Sequence, residues 1–468
     1  MPQLMRCLYC GLLQDEPEGV KTCPRCGGEL IFEEQPPADP KGSYVQAQME
    51  LDQITAPGGR NVDRYLLITL CTPAQVPAEH MAPTKTGRAP LSLTAVLDVS
   101  GSMRGQKIAQ AKEAVRQAVR RLHDGDVFSM VTFATEVASV LEPTTIDDQT
   151  RRVVESTLQE IDAGGRTALY GGLEQGIANA QLRKQESNLI LLLSDGQANV
   201  GETDLEAIGY RAFRARQESL TVSTLGVGAD YNEALMAEIA SQGGGRFYHV
   251  LRADQIAPVM AGEVGEVASL AARDAQLSLT LPAGAAVFPL STAYPAQQGE
   301  GTATISLGDV PTDLELEVTV RVTLPGQPAP SRQSIEGELT YRSPAGSRLS
   351  TPLNRVTVRF VAAEGFDLRD GVVAPVAKRV LGQMRAANVL GVARAMAKDA
   401  AAGSRQASAG LANLRQYAAR LGEEEASQET QAMEAEFAAL RSAPVAATAA
   451  VASAHARQRS TRKFDELA

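Results

Sequence analysis

The chain has no tryptophan, only four histidines, and ten each of phenylalanine and tyrosine among 468 residues. Catalysis that needs several histidines is constrained from the start, and so is a stacking platform for single-stranded nucleic acid. Positive charge is also short: 45 Lys and Arg stand against 55 Asp and Glu, a formal net charge of −10. That lacks the electrostatic footprint of a nucleic-acid binder or of a protein coating an anionic membrane. No apolar run approaches the ~18 residues of a membrane span; the longest in the first half, Leu189 to Leu193, is strand length. There is no GxxxxGK[ST] phosphate loop, and Gly226-Val-Gly228 is followed by Tyr231 where a dinucleotide fingerprint needs glycine or alanine. None of His80, His123, His249 and His455 flanks an evident nucleophile. His123 ends a helical pattern, where a cation suits the helix dipole, and reads as structural.

What is present is globular. Hydrophobic residues make up 44% and charged residues 21%, enough apolar mass for more than one core, and the length allows about three domains. Four of the five cysteines fall at Cys7, Cys10, Cys23 and Cys26, in the stretch where a secretory signal would carry its apolar core. Clustered CxxC pairs in an acidic chain of this kind point to a reducing compartment and metal ligation, so a cytoplasmic protein is expected. Cys71, alone on an apolar strand, reads as a packed small hydrophobe.

The patterning divides the chain. Residues 1–32 form a cysteine segment, and the prolines and charges of 33–42 read as a linker. From Tyr44 apolar Val45, Ala47, Met49 and Leu51 alternate with polar neighbours, a half-buried strand, and RYLLITL (64–70) is a second. Over 91–268 apolar strands (LSLTAVLD, DVFSMVTFA, NLILLLSD, LTVSTLGVG) alternate with helical patterns, as in an open parallel sheet covered by helices on both faces. Residues 269–362 return to alternating strands (AQLSLTL, ATISL, LELEVTVRVTL, NRVTVRFV) punctuated by Gly and Pro, as in a β-sandwich. The strands within 43–90 have no sheet of their own, so they are expected to join the later ones. The expected fold is therefore multidomain α/β plus β: a Rossmann-like domain inserted in a β-sandwich, an N-terminal zinc ribbon and C-terminal helices. Residues 372–441 show helical periodicity with breaks expected at Gly403 and Gly422, and the Ala-rich, then basic tail 442–468 is expected to be disordered.

Two constellations carry chemistry. In Asp98-Val-Ser100-Gly-Ser102 a buried strand ends and a helix is about to begin, which is where ligand sites form in open α/β sheets. The loop offers a carboxylate and two hydroxyls at alternate positions, and Gly101 lets it turn tightly. Thr167 follows Gly164-Gly165-Arg166, and Asp195 ends the strand NLILLLSD ahead of Gly196. Asp and Ser are favoured helix N-caps, so DVSGS alone fits a capped helix start. With Thr167 and Asp195 at loop and strand ends, one hard cation held from three loops is the better account. Few carboxylates suit Mg²⁺, which keeps several waters, with Mn²⁺ or Ca²⁺ left open.

This pattern resembles the von Willebrand factor A domain with a metal-ion-dependent adhesion site: DxSxS, then Thr after small residues, then Asp after a hydrophobic strand. Residues 91–268 carry it, and the segments SDGQANVG and TLGVG fit as well. The resemblance implies Asp98, Ser100, Ser102, Thr167 and Asp195 around Mg²⁺, with one position open to an acidic residue of a protein partner. It further implies a non-enzymatic interaction module, an adaptor for larger machines, AAA+ ATPases among them. A metal-dependent hydrolase, with Asp98 or Asp195 orienting a water, finds no general base beyond the ligands themselves.

The second constellation, Cys7-x2-Cys10 and Cys23-x2-Cys26, supplies four thiolates for a closed tetrahedral Zn²⁺ site, each pair followed by a glycine, Gly11 or Gly27. Its spacer is shorter than in many such sites, yet the segment resembles a small zinc ribbon, and 32 residues need a metal to fold. A redox CxxC would need a surrounding βαβ unit. Arg6, Lys21 and Arg25 are outnumbered by Asp15, Glu16, Glu18, Glu29, Glu33 and Glu34, so protein contact is favoured over a nucleic-acid-associated factor.

Overall fold

The structure, a computed structural model, describes residues 3–7, 13–16, 22, 30–32, 43–81, 89–195, 198–228, 231–441 and 444–458. Strands β1 (Gln3–Cys7), β2 (Leu13–Glu16) and β3 (Leu30–Phe32) form an antiparallel sheet with β1 in the middle. Cys7 ends β1; Cys10, Cys23 and Cys26, on which the zinc expectation also rests, lie outside the described residues. Strands β4 (Gln46–Leu51), β5 (Thr55–Pro57) and β6 (Val62–Cys71) follow.

The α/β unit then runs β7 (Leu91–Asp98), α1 (Gln106–Arg121), β8 (Val127–Phe133), β9 (Val137–Thr145), α2 (Asp148–Glu160), α3 (Leu169–Leu182), β10 (Ser187–Ser194), α4 (Leu205–Gln217), β11 (Thr221–Val227), α5 (Glu233–Gln242), β12 (Gly244–Val250) and α6 (Ile256–Ala268). Its sheet has the order β12-β11-β10-β7-β8-β9, parallel except for β9, which pairs antiparallel with β8 at the edge. The central strands are apolar runs because both faces are covered. Leu91, Leu93, Ala95 and Leu97 of β7, with Leu189, Leu191 and Leu193 of β10, share a core with α1, α2 and α6. Val96, Ile190 and Leu192 point into the core that holds α3, α4 and α5. Helix starts follow side-chain caps: Asp147 accepts from Thr150 N at 2.6 Å, Asp204 from Ala207 N at 2.8 Å and Asn232 from Leu235 N at 3.0 Å.

The remaining strands are β13 (Leu270–Thr280), β14 (Ala286–Pro289), β15 (Ala296–Gly299), β16 (Thr302–Pro311), β17 (Glu315–Leu324), β18 (Ser331–Arg342) and β19 (Arg348–Val361). They form a six-stranded sheet, β15-β16-β13-β18-β19-β5, and a four-stranded one, β14-β17-β6-β4. The strands ahead of the α/β unit thus pair with strands behind it: β6 runs antiparallel to β17 from Val62↔Leu324 to Cys71↔Glu315. Met49 and Asn354 exchange two 2.8 Å hydrogen bonds between the sheets.

Helices α7 (Ala374–Lys398), α8 (Ala400–Ala418), α9 (Glu423–Arg441) and α10 (Pro444–Gln458) close the chain. Two expectations are corrected here. The first break falls at Asp399, whose carboxylate caps α8 by accepting from Ala402 N at 2.9 Å, whereas Gly403 lies inside α8. Gly403 is there for close packing, since a Cβ would lie 2.2 Å from Met396 Cγ. Gly422, at φ +128°, does separate α8 from α9. The second correction concerns the tail: 444–458 is a helix and not a disordered segment, because Val451, Ala454 and His455 are buried. His455 stacks edge-on against Phe247 of β12, and Gln383 of α7 donates to Arg457 O at 2.8 Å. Residues 459–468 lie outside the described residues.

Candidate metal centre at the ends of β7 and β10

From β7 the chain moves outward through β8 and β9, then returns to place β10 on the other side of β7. The carboxyl ends of β7 and β10 therefore flank a topological switch point, the crevice where open α/β sheets bind ligands. The two strands pair in parallel with Leu97 opposite Leu193, so the next residues, Asp98 and Ser194, fall side by side. Ser194 Oγ donates to Asp98 Oδ2 at 2.5 Å, and Ser100 N donates to Asp98 Oδ1 at 2.8 Å. Asp98 and Asp195 are both buried. Burial pushes the Asp98 carboxyl above its ordinary value; the hydrogen bonds from Ser100 and Ser194 oppose the shift, and the neighbouring Asp195 charge adds to it.

The loop after β7 brings the hydroxyls together. Ser100 Oγ and Ser102 Oγ lie 3.1 Å apart, and Ser102 Oγ donates to Asp195 Oδ1 at 2.6 Å. Thr167, buried just ahead of α3, is carried in by backbone ties: Gly101 N to Gly165 O at 3.1 Å and Gly164 N to Val99 O at 2.7 Å. Gly165 has φ +87°, and a Cβ there would press on Thr135 Oγ1 at 2.8 Å, so the turn that delivers Thr167 requires glycine.

Of the five residues expected at this site, Asp98 and Ser100, and Ser100, Ser102 and Asp195, are joined by hydrogen bonds, and Thr167 lies on the neighbouring loop that is tied to the loop after β7. Three contributors escaped the sequence reading. Ser194 binds Asp98. Asn199 accepts from Thr167 N at 3.0 Å and donates its own N–H to Thr167 O at 3.1 Å. Lys107, in the first turn of α1, pairs with Asp195 Oδ2. The only advance signal for Lys107 was a cation in the first turn of a helix, where the dipole disfavours positive charge.

The donor set of two carboxylates and three hydroxyls has the chemistry of a hard-cation site that leaves part of the shell to water. Among the described residues no group of three or more His, Cys, Asp or Glu side chains is placed to hold a metal, so any cation here relies on hydroxyl oxygens. Arg104 is exposed, donating from Nε to Ala163 O at 3.1 Å, and Arg166 is exposed on the loop that carries Ala163, where Asp162 is exposed as well.

A parallel-centred, doubly wound sheet with an oxygen-lined crevice at its switch point defines a class of α/β ligand-binding domains. Residues 92–260 match the family model of the von Willebrand factor type A domain, and the chain carries a domain of that family. It is 28% identical over 192 residues to the Escherichia coli (strain K12) protein YfbK, a match covering 40% of this chain and 33% of that protein. It is 29% identical over 289 residues to the Synechocystis sp. protein sll0103, covering 57% and 66%. The chain thus spans about a third and just under two thirds of these relatives' lengths. The solved structure of a von Willebrand factor type A protein from Catenulispora acidiphila superposes with a TM-score of 0.61 at 18% identity, over 91% of this chain and 99% of that one. At that identity the likeness concerns the fold, and it extends beyond the α/β unit. No helix of the described residues is long and apolar enough to cross a membrane.

Proposed function

We propose that this protein is a non-enzymatic interaction module that binds a divalent cation through Asp98, Ser100, Ser102, Thr167 and Asp195, and through the cation a carboxylate of a protein partner. The observation that carries the reading is the oxygen cluster itself. Ser100 Oγ, Ser102 Oγ and Asp195 Oδ1 are linked at 3.1 and 2.6 Å beside buried Asp98. Lys107 is taken up by Asp195, and among the described residues buried Asp98 forms no ion pair; a buried carboxylate is costly unless a cation accompanies it. Mg²⁺ fits best, since hydroxyls and waters complete its shell. When bound, the ion supplies an electrophilic position for an anionic oxygen. Asp98, Ser100, Ser102, Thr167 and Asp195 would supply its protein oxygens. Exposed Arg104 and Arg166 favour an acidic partner surface.

We further read the six-stranded and four-stranded sheets as one β-sandwich carrying the α/β domain as an insertion, and Cys7, Cys10, Cys23 and Cys26 as a structural Zn²⁺ site suited to protein contact. The test of the main reading compares partner capture from native lysate in Mg²⁺ and in EDTA, with wild type and Asp98→Ala. Capture is expected only with wild type in Mg²⁺. Equal capture by folded Asp98→Ala would move the interaction to the sheets, the cysteine segment or the helices.

A further inference from the structure

Lys107 stands nine residues beyond Asp98 and reaches back over the crevice. Its ammonium pairs with Asp195 Oδ2; the aspartate side chain is fully buried, while 32% of the lysine side chain remains exposed. The other oxygen, Oδ1, faces the hydroxyls and accepts from Ser102 Oγ at 2.6 Å. The two edges of one carboxylate therefore have separate duties: Oδ2 is neutralised by a tethered cation, and Oδ1 is turned toward the oxygens of the proposed centre. Gly228, just past β11, lies beside the ammonium, since a Cβ added there would come within 3.4 Å of Nζ. Among the described residues Asp195 is its only acidic partner.

The charge balance follows. Two carboxylates and one ammonium give the crevice a formal charge of −1, where the two carboxylates alone would give −2. A divalent ion entering it leaves +1, and that surplus attracts an anionic oxygen. We propose that Lys107 sets the charge of the metal centre, weakening cation binding and strengthening the hold of the loaded centre on a carboxylate. This rests on the metal-binding reading above. The consequence separates it from a merely structural ion pair. A lysine that only held Asp195 in place would, on removal, weaken cation and carboxylate binding together. A charge-setting lysine moves them in opposite directions.

The magnitude follows from Coulomb's law. Even with water-like shielding, a unit charge about 6 Å from a divalent ion changes its affinity about tenfold, and the effect on a singly charged anion at that distance is about threefold. The experiment uses the full chain as wild type, Lys107→Met and Lys107→Arg. Mn²⁺ affinity is read from the electron paramagnetic resonance signal of free Mn²⁺. Acetate is then titrated into the Mn²⁺-loaded proteins, and loss of metal-bound water is followed by proton relaxation. Lys107→Met is expected to bind Mn²⁺ about tenfold more tightly and acetate about threefold more weakly, and Lys107→Arg to stay near wild type. Lys107→Gln, read the same way, decides the matter if the methionine variant does not fold. Mn²⁺ binding that is unchanged or weaker in Lys107→Met or Lys107→Gln overturns the inference while leaving the metal centre standing. Absence of Mn²⁺ binding by wild type overturns both.

Discussion

Replacing Asp98 by asparagine should reverse the order of stability between wild type and variant according to whether Mg²⁺ is present. The side chain is fully buried, with one oxygen accepting from Ser100 N at 2.8 Å and the other from Ser194 Oγ at 2.5 Å. Burial raises its pKa from the ordinary 3.8. A raised folded value means the stability linked to this group is fully present below the unfolded pKa and is lost as pH rises through the folded one. At pH 7 without metal, the ionised carboxylate therefore costs wild type stability. Asparagine removes that cost and keeps the shape. Its carbonyl can face Ser100 N, and the Ser194 hydroxyl can rotate to accept from the new amide. In EDTA, Asp98→Asn should be the more stable protein, by up to about 1 kcal/mol. Mg²⁺ at a hundred times its dissociation constant stabilises wild type by about 2.7 kcal/mol. For a unit of this size that is a rise of about 5–10 °C. A variant whose affinity has fallen a hundredfold gains only about 1–2 °C. Circular dichroism melts in EDTA and in saturating Mg²⁺ measure all four values. An equal Mg²⁺ shift in both proteins would place the cation elsewhere. A loss above about 3 kcal/mol in EDTA would make Asp98 a structural residue first.

Three further outcomes are expected. Gly176→Ala puts a Cβ 2.5 Å from Val96 Cγ2, where α3 lies on β7, and should cost about 1–3 kcal/mol in chemical denaturation; an unchanged midpoint would mean α3 lifts away freely. Arg420→Met strips the 3.1 Å partner from Asp52 Oδ2, whose side chain is fully buried. It should cost about 3–5 kcal/mol, and Asp52→Asn in the same chain should restore part of that; no restoration would show that the loss came from arginine packing. Elemental analysis of protein purified without chelators should find one zinc per chain, lost in Cys23→Ser, and a zinc-free wild type would sink the four-thiolate reading.

The metal-site candidates could be read in advance because each stands where two local signals coincide. Asp98 ends one apolar strand and Asp195 directly follows another, Ser100 and Ser102 flank Gly101, and Thr167 follows the Gly164-Gly165 pair by one residue. Lys107 was not legible, because a lysine on an amphipathic helix reads as a solvated charge until the register of β7 against β10 puts Asp195 beneath it. The same limit explains the helices. Gly403 looks like a break on propensity alone, but it is the close approach of α7 and α8 that requires it, and the capping carboxylate of Asp399 sets the boundary. The alanine-rich 444–458 has few large apolar residues, and its order comes from surfaces on α7, α9, α5 and β12 that exist only once the chain is folded. The edge strand β9 was missed because its residues are mostly half-buried and lack a clean alternation.

The pairing of β6 with β17 has a consequence for how the protein is made. Val62–Cys71 is buried along most of its length, and its partner Glu315–Leu324 lies roughly 250 residues downstream. At ~5–20 residues per second, a ribosome needs on the order of 12–50 seconds to deliver that partner. Throughout that interval Leu66, Leu67, Ile68 and Leu70 are on a nascent chain with the strand's β17 edge unpaired, while the α/β unit between them can already be complete. The β4–β6 pair is then a two-stranded ribbon with an open apolar face, the state most open to capture by a chaperone or by another nascent copy. A slow stretch of translation between β6 and β17 would lengthen that exposure, and one ahead of β6 would not.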